Sequence, residues 1–130
     1  MGKVQHFEIP VNNSDKAKEF YGKLFDWKII DVSVGKMKYF MIQTGPTDKE
    51  GMVQDKGFIN GGFTVNDPTA KTPVIVITVD DIEKTSLDIK KSGGKIIMEK
   101  QKVGDMGYYT RFKDPEGNLM GLWENIRKSE

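Results

Sequence analysis

Cysteine is absent from this chain, and histidine occurs once. Without cysteine there is no disulfide, zinc–thiolate site, iron–sulfur cluster or thiol nucleophile. With a single imidazole, a histidine-rich metal centre is excluded as well. Arginine occurs only at positions 111 and 127. The net charge is +1, with lysines interleaved among Asp and Glu, so no basic patch argues for nucleic acid and no acidic tail for disorder. No apolar run approaches the roughly 20 residues that span a bilayer. The opening Met1-Gly2-Lys3-Val4-Gln5-His6 contains no apolar stretch. The expectation is a cytoplasmic protein with no secretory signal and no membrane partner. A phosphate-cradling glycine loop and a nucleophile elbow are also missing, and nothing places a serine beside His6.

What the chain does contain is a repeat. Val34-Gly35-Lys36-Met37-Lys38-Tyr39-Phe40 recurs as Val103-Gly104-Asp105-Met106-Gly107-Tyr108-Tyr109, and Trp27-Lys28-Ile29-Ile30 as Gly94-Lys95-Ile96-Ile97. A period of half the chain implies two similar modules, with any site drawing on equivalent positions of both. At 130 residues the chain is expected to form a single domain. Module 1 is expected at about 3–64, a linker at 65–73 and module 2 at about 74–125.

Residues 4–11 alternate with period two, placing Phe7, Ile9 and Val11 on one strand face and His6 and Glu8 on the other. Asn12-Asn13-Ser14 offers helix N-caps. Ala17, Phe20, Tyr21, Leu24 and Phe25 then follow the apolar spacing of an amphipathic helix. Trp27–Val34 and Met37–Gln43 read as a strand pair turning at Gly35-Lys36. Residues 45–57 read as a loop, and Gly57–Thr64 as a strand with Gly61-Gly62 inside it, a mark of close approach by another group.

The second half opens on β-branched Val74–Val79, expected to be covered on both faces. Asp80 and Glu83 suggest a capping box for a helix over about 81–92, ended by Gly93-Gly94. Strands are expected at about 95–102 and 107–113. Asp114-Pro115-Glu116-Gly117 has type I turn residues, and Leu119–Glu124 is the last strand. The order is βαβββ twice, an α+β class.

That order resembles the vicinal oxygen chelate superfamily, which includes glyoxalase I, bleomycin-resistance proteins and extradiol dioxygenases. The resemblance is carried by His6-Phe-Glu-Ile-Pro-Val, by Phe20-Tyr21-Gly-Lys-Leu-Phe25-Asp-Trp27, and by Asp114-Pro-Glu-Gly-Asn118 running into Gly121-Leu-Trp-Glu124. It implies two βαβββ modules forming a curved mixed sheet around a cleft, and a homodimer. Metal-dependent members use four side chains from the first and last strands of the modules. Those positions fall here on His6, the Gly61-Gly62 pair, Val74 and Gly121, so one of the four keeps a donor. Divalent metals need three or more converging N or O donors. The expected cofactor is therefore none.

The candidate ligand-binding residues are His6, Glu8, Tyr39, Met41, Tyr108, Arg111, Gly121 and Trp123. His6 is the only imidazole and the one candidate for acid–base work. Glu8 shares its strand face. Only one of each aromatic pair, Tyr39/Phe40 and Tyr108/Tyr109, can face a cleft, and Tyr39 and Tyr108 are the members expected there. Met37 and Met41 add adaptable surface. Arg111 suits a ligand carboxylate or phosphate. Trp123 and Leu119 share a face with Gly121. The expected function is a metal-independent, glyoxalase/bleomycin-resistance-like small-molecule binder with an apolar, aromatic cleft. The alternatives are a metal-dependent lyase, isomerase or dioxygenase using His6, and a dimeric structural or regulatory subunit.

Overall fold

The computed structural model describes residues 1–33, 35–46 and 57–126. Val34, most of the loop expected at 45–57, and Arg127 lie outside the described residues. The chain divides into two compact units, one of His6–Pro73 and one of Met1–Gln5 with Val74 onward.

The His6–Pro73 unit carries most of β1 (Lys3–Val11), then α1 (Ser14–Phe25), β2 (Lys28–Asp31), β3 (Tyr39–Gln43) and β4 (Asn60–Val65). Its strand order is β2-β3-β4-β1, with β1 parallel to β4 and the other neighbours antiparallel. Asn13 caps α1 by accepting the Lys16 N–H at 3.1 Å. Asp26 ends the helix in the left-handed region at φ 57°, which a short polar side chain tolerates. One sheet face is packed: Phe40, Ile42 and Phe63 are its buried centre, with Phe7, Ile9, Ala17, Tyr21 and Trp27 around them. Tyr21 stacks on Trp27 with centroids 5.1 Å apart. Only part of the expected apolar stripe of α1 packs on this core. Phe20, Leu24 and Phe25 are 54%, 61% and 56% exposed.

The segment expected as a linker is tied down at its start. Asp67 accepts from the Thr64 hydroxyl at 2.7 Å and from the Ala70 N–H at 2.9 Å.

The second unit contains β5 (Val74–Thr78), α2 (Ile82–Lys91), β6 (Lys95–Ile96), β7 (Gln101–Val103), β8 (Gly107–Lys113) and β9 (Leu119–Asn125). Strands run β5-β9-β8-β6, and β7 also pairs with β8. Ile82, Phe112 and Leu122 form its core. The expectations for this half change in detail. The helix N-cap is Asp81, one residue after Asp80, and it accepts from Lys84 N–H at 3.0 Å. Glu124 supports the same helix end by accepting the Ile82 N–H at 2.8 Å. β5 is covered fully on the face of Val74 and Val76 and in part on the other, where Ile77 and Val79 pack on the core while Ile75 is 46% exposed.

The strand expected over 95–102 is split, because its register on β8 slips by two residues between Ile96↔Phe112 and Gln101↔Tyr109. The extra residues bulge, as insertions into an antiparallel ladder do. The Thr110 hydroxyl donates to the freed Met98 carbonyl at 2.7 Å. The Asp114 turn forms as expected, with Gly117 at φ 85° and the Asp114 carboxylate accepting from Glu116 N–H and Asn118 N–H, both at 2.9 Å.

Candidate functional site

Strand alternation gives the His6–Pro73 sheet a second face, opposite the packed core. Pairing of β1 with β4 sets His6 beside Asn60 and Glu8 beside Gly62; pairing of β3 with β4 sets Met41 beside Gly62 and Tyr39 beside Thr64. All of these share one face by the two-residue period.

Gly62 makes the centre of that face possible. A Cβ there would overlap the Tyr39 hydroxyl and ring. Without it, the ring lies diagonally across β4 and its Oη reaches His6 Nε2 at 2.9 Å. Burial holds the His6 pKa below its ordinary value of 6.5, and the neighbouring Glu8 carboxylate opposes that shift. The imidazole is thus kept neutral, able to donate or accept toward the phenol according to its tautomer. Glu8 is only 6% exposed. Buried carboxylates are rare unless paired or hydrogen-bonded, which sets Glu8 apart from an ordinary solvated strand charge.

A depressed histidine pKa has a fixed sign in stability. Below about pH 6.5 the unfolded chain binds a proton at His6 that the folded chain resists, so unfolding takes up protons and stability falls as pH falls. Urea midpoints should therefore drop between pH 7.5 and about 5.5, above the range where carboxylates titrate. Because His6 is the only histidine, His6→Gln should flatten that slope. An unchanged slope in the variant would refute the assignment.

The second unit repeats the arrangement with different partners. Tyr109 pairs with Trp123, and Arg111 with Gly121. A Cβ at Gly121 would lie 3.1 Å from Tyr109 Oη and 2.9 Å from Val76 Cγ2. Arg111 Nε donates to Tyr109 Oη at 2.8 Å, and Arg111 is 5% exposed. The Trp123 ring covers Gly107, and its Nε1–H donates to Asn125 at 2.8 Å. In both units, then, a tyrosine two residues along the ladder lays its hydroxyl over a glycine and shares it with a nitrogen base or cation.

His6, Glu8, Tyr39 and Met41 therefore come together on one face, and Arg111, Gly121 and Trp123 on another. Tyr108 does not join them. Alternation puts it on the helix side, packed with the Ile82 core, with Lys100 Nζ 4.6 Å from its ring centre. There it lines a shallow depression with Asp80, Asp81, Glu83 and Glu124. Tyr109 holds the position expected of Tyr108. Two residues escaped the sequence reading, Tyr109 and Asn60. The first is identified by the Tyr109↔Trp123 register. The second became visible only through the His6↔Asn60 register.

Among the described residues, no three His, Cys, Asp or Glu side chains converge on one point. Among the described residues of the His6 unit the donors on one face are a single imidazole and a single carboxylate, and a tyrosine ring fills the room above Gly62. Those two donors alone fall short of the three or more that a resident divalent metal needs.

Two modules of this order, each with a helix on one sheet face and polar side chains on the other, define a class of α+β protein. The chain belongs to the Glyoxalase/Bleomycin resistance protein/Dioxygenase superfamily, whose family model matches residues 3–122. It is 29% identical over 131 residues to a probable lactoylglutathione lyase of Vibrio parahaemolyticus serotype O3:K6, covering 98% of this chain and 94% of that protein. Among solved structures it is similar to a hypothetical protein from Bacillus halodurans C-125, with TM-score 0.71, 17% identity and coverage of 99% and 98%. It is also similar to the Streptomyces coelicolor methylmalonyl-CoA epimerase in complex with 2-nitronate-propionyl-CoA, with TM-score 0.67, 16% identity and coverage of 98% and 97%. At these identities the structural likeness establishes the fold. Among the described residues no helix is long and apolar enough to cross a membrane.

Proposed function

We propose that this chain is a cytoplasmic, homodimeric small-molecule-binding protein of the superfamily that works without a resident metal. Its ligand lies against the face bearing His6, Glu8, Tyr39 and Met41, and the face bearing Arg111, Tyr109, Gly121 and Trp123 serves the same purpose in the second unit. The observation that carries this reading is the His6–Tyr39 hydrogen bond over Gly62. The one side chain matching a metal-ligand position is already engaged by a phenol, and the phenol's ring fills the space a second donor would need. Buried Glu8 and Arg111 make both faces more polar than an apolar, aromatic cleft, so the ligand carries polar groups as well as apolar surface. The exposed Phe20, Leu24 and Phe25 supply an apolar surface of the kind a second copy covers.

A second reading is a metal-dependent lyase, isomerase or dioxygenase, favoured by the shared face of His6 and Glu8 and by the lyase name of the Vibrio relative. Melting curves of chelator-treated protein separate the two. A metal at about 100 times its Kd stabilises the folded state by about 2.7 kcal/mol, which is several degrees in Tm. No such shift is expected with Ni, Zn, Mn or Fe(II). A shift that disappears in His6→Ala would transfer the protein to the second reading.

A further inference from the structure

Asn60 Nδ2 is the one buried side-chain nitrogen or oxygen among the described residues with no hydrogen-bond partner. The other end of the amide is fixed: Oδ1 accepts the Thr44 N–H at 3.1 Å, which settles which end is the donor. Asn60 is 7% exposed, so bulk water does not readily solvate the free N–H. By register it stands beside His6, on the face shared with Glu8 and Tyr39. Buried polar groups are paired almost without exception, and no described residue supplies an acceptor to this one.

We propose that Asn60 Nδ2 anchors the oxygen of an uncharged carbonyl compound (a ketone, aldehyde, ester or amide) bound on the His6 face. This rests on the ligand-binding reading above and names its chemical class. A lone N–H donor matches an acceptor oxygen and rejects a cation. The buried Glu8 carboxylate, two residues along β1 from His6, disfavours a second negative charge on the same face. The His6–Tyr39 pair offers a further hydrogen-bonding group, and Met41 beside Gly62 gives the carbon skeleton an adaptable wall.

The test uses acetophenone and its alcohol counterpart, α-methylbenzyl alcohol, titrated into the intact protein and followed by NMR. Acetophenone is expected to shift both the Asn60 side-chain amide and the His6 imidazole. Asn60→Asp keeps the acceptor for Thr44 N–H but removes the donor. It should weaken acetophenone about tenfold and leave the alcohol, which can donate to a carboxylate, within about threefold. Equal weakening of both probes, or of neither, would overturn the anchor. Should Asn60→Asp fail to fold, the wild-type amide signal decides: if it stays still while His6 moves, the anchor is wrong and the binding face stands. If neither signal moves, the binding-face reading falls together with the anchor.

Discussion

Phe63→Ala is expected to cost about 3–5 kcal/mol, with a fall in Tm of about 10–20 °C. Phe63 is fully buried on the packed face of β4, in one cluster with Phe40 and Ile42, and its ring lies 5.7 Å from that of Tyr21. Through Tyr21 and Trp27 it ties helix α1 to the sheet. Truncation leaves a void that rigid rings cannot close, so both the lost transfer energy and the cavity count against the fold. Domain stabilities are about 5–15 kcal/mol, so this one change removes a large share. Urea unfolding followed by circular dichroism reads it directly. A loss below about 1 kcal/mol would mean that the Phe40–Ile42–Phe63 cluster is not the core of this unit.

Gly62→Ala should have the largest effect on the site. The added carbon and the Tyr39 hydroxyl cannot occupy the same space, and a phenol ring has no flexible end that can yield. Tyr39 must swing off β4, breaking its hydrogen bond to His6. The expected stability cost is about 1–3 kcal/mol, the usual range for forced overpacking. The more specific sign is electrostatic. His6, losing cover, should titrate closer to its ordinary value of 6.5, and the fall in stability below that pH should shrink. NMR titration of the single imidazole measures this. Tyr39→Phe is the companion: it removes the hydroxyl but keeps the ring over Gly62, so His6 should stay buried. If Gly62→Ala leaves the His6 titration where it was, the diagonal placement of Tyr39 is wrong.

Much of this architecture was legible from local spacing. The period-two run 4–11 gave β1 and the division of its faces, and the 17–25 stripe gave α1. The turn chemistry of Asp114-Pro-Glu-Gly gave the entry to β9. Each depends on neighbours a few residues apart. What escaped depends on pairing between distant strands. Nothing near residues 97–100 announces a two-residue slip, since the slip exists only relative to β8. The choice of Tyr108 over Tyr109 followed the internal repeat, which aligns Tyr39 with Tyr108. Cross-strand pairing instead makes Tyr109 the counterpart, two residues along the ladder from Gly121 as Tyr39 is from Gly62. Asn60 lies inside the strand expected over Gly57–Thr64, but its place beside His6 follows only from the β1–β4 register. Glu8 and Arg111 were among the expected ligand-facing residues, but that both are nearly fully buried follows only from the fold.

The tyrosine-over-glycine arrangement dictates the order in which substitutions at this face can be accepted. A carboxylate or any other side chain introduced at Gly62 collides with Tyr39 at once, so that change alone is selected against whatever chemistry it would bring. Shrinking Tyr39 first opens the room, and only then does a donor at position 62 become tolerable. Gly121 is crowded from two sides, by Val76 and by Tyr109, so room there requires both neighbours to give. Positions 39 and 62 are therefore coupled: what one of them can carry is set by the size of the other.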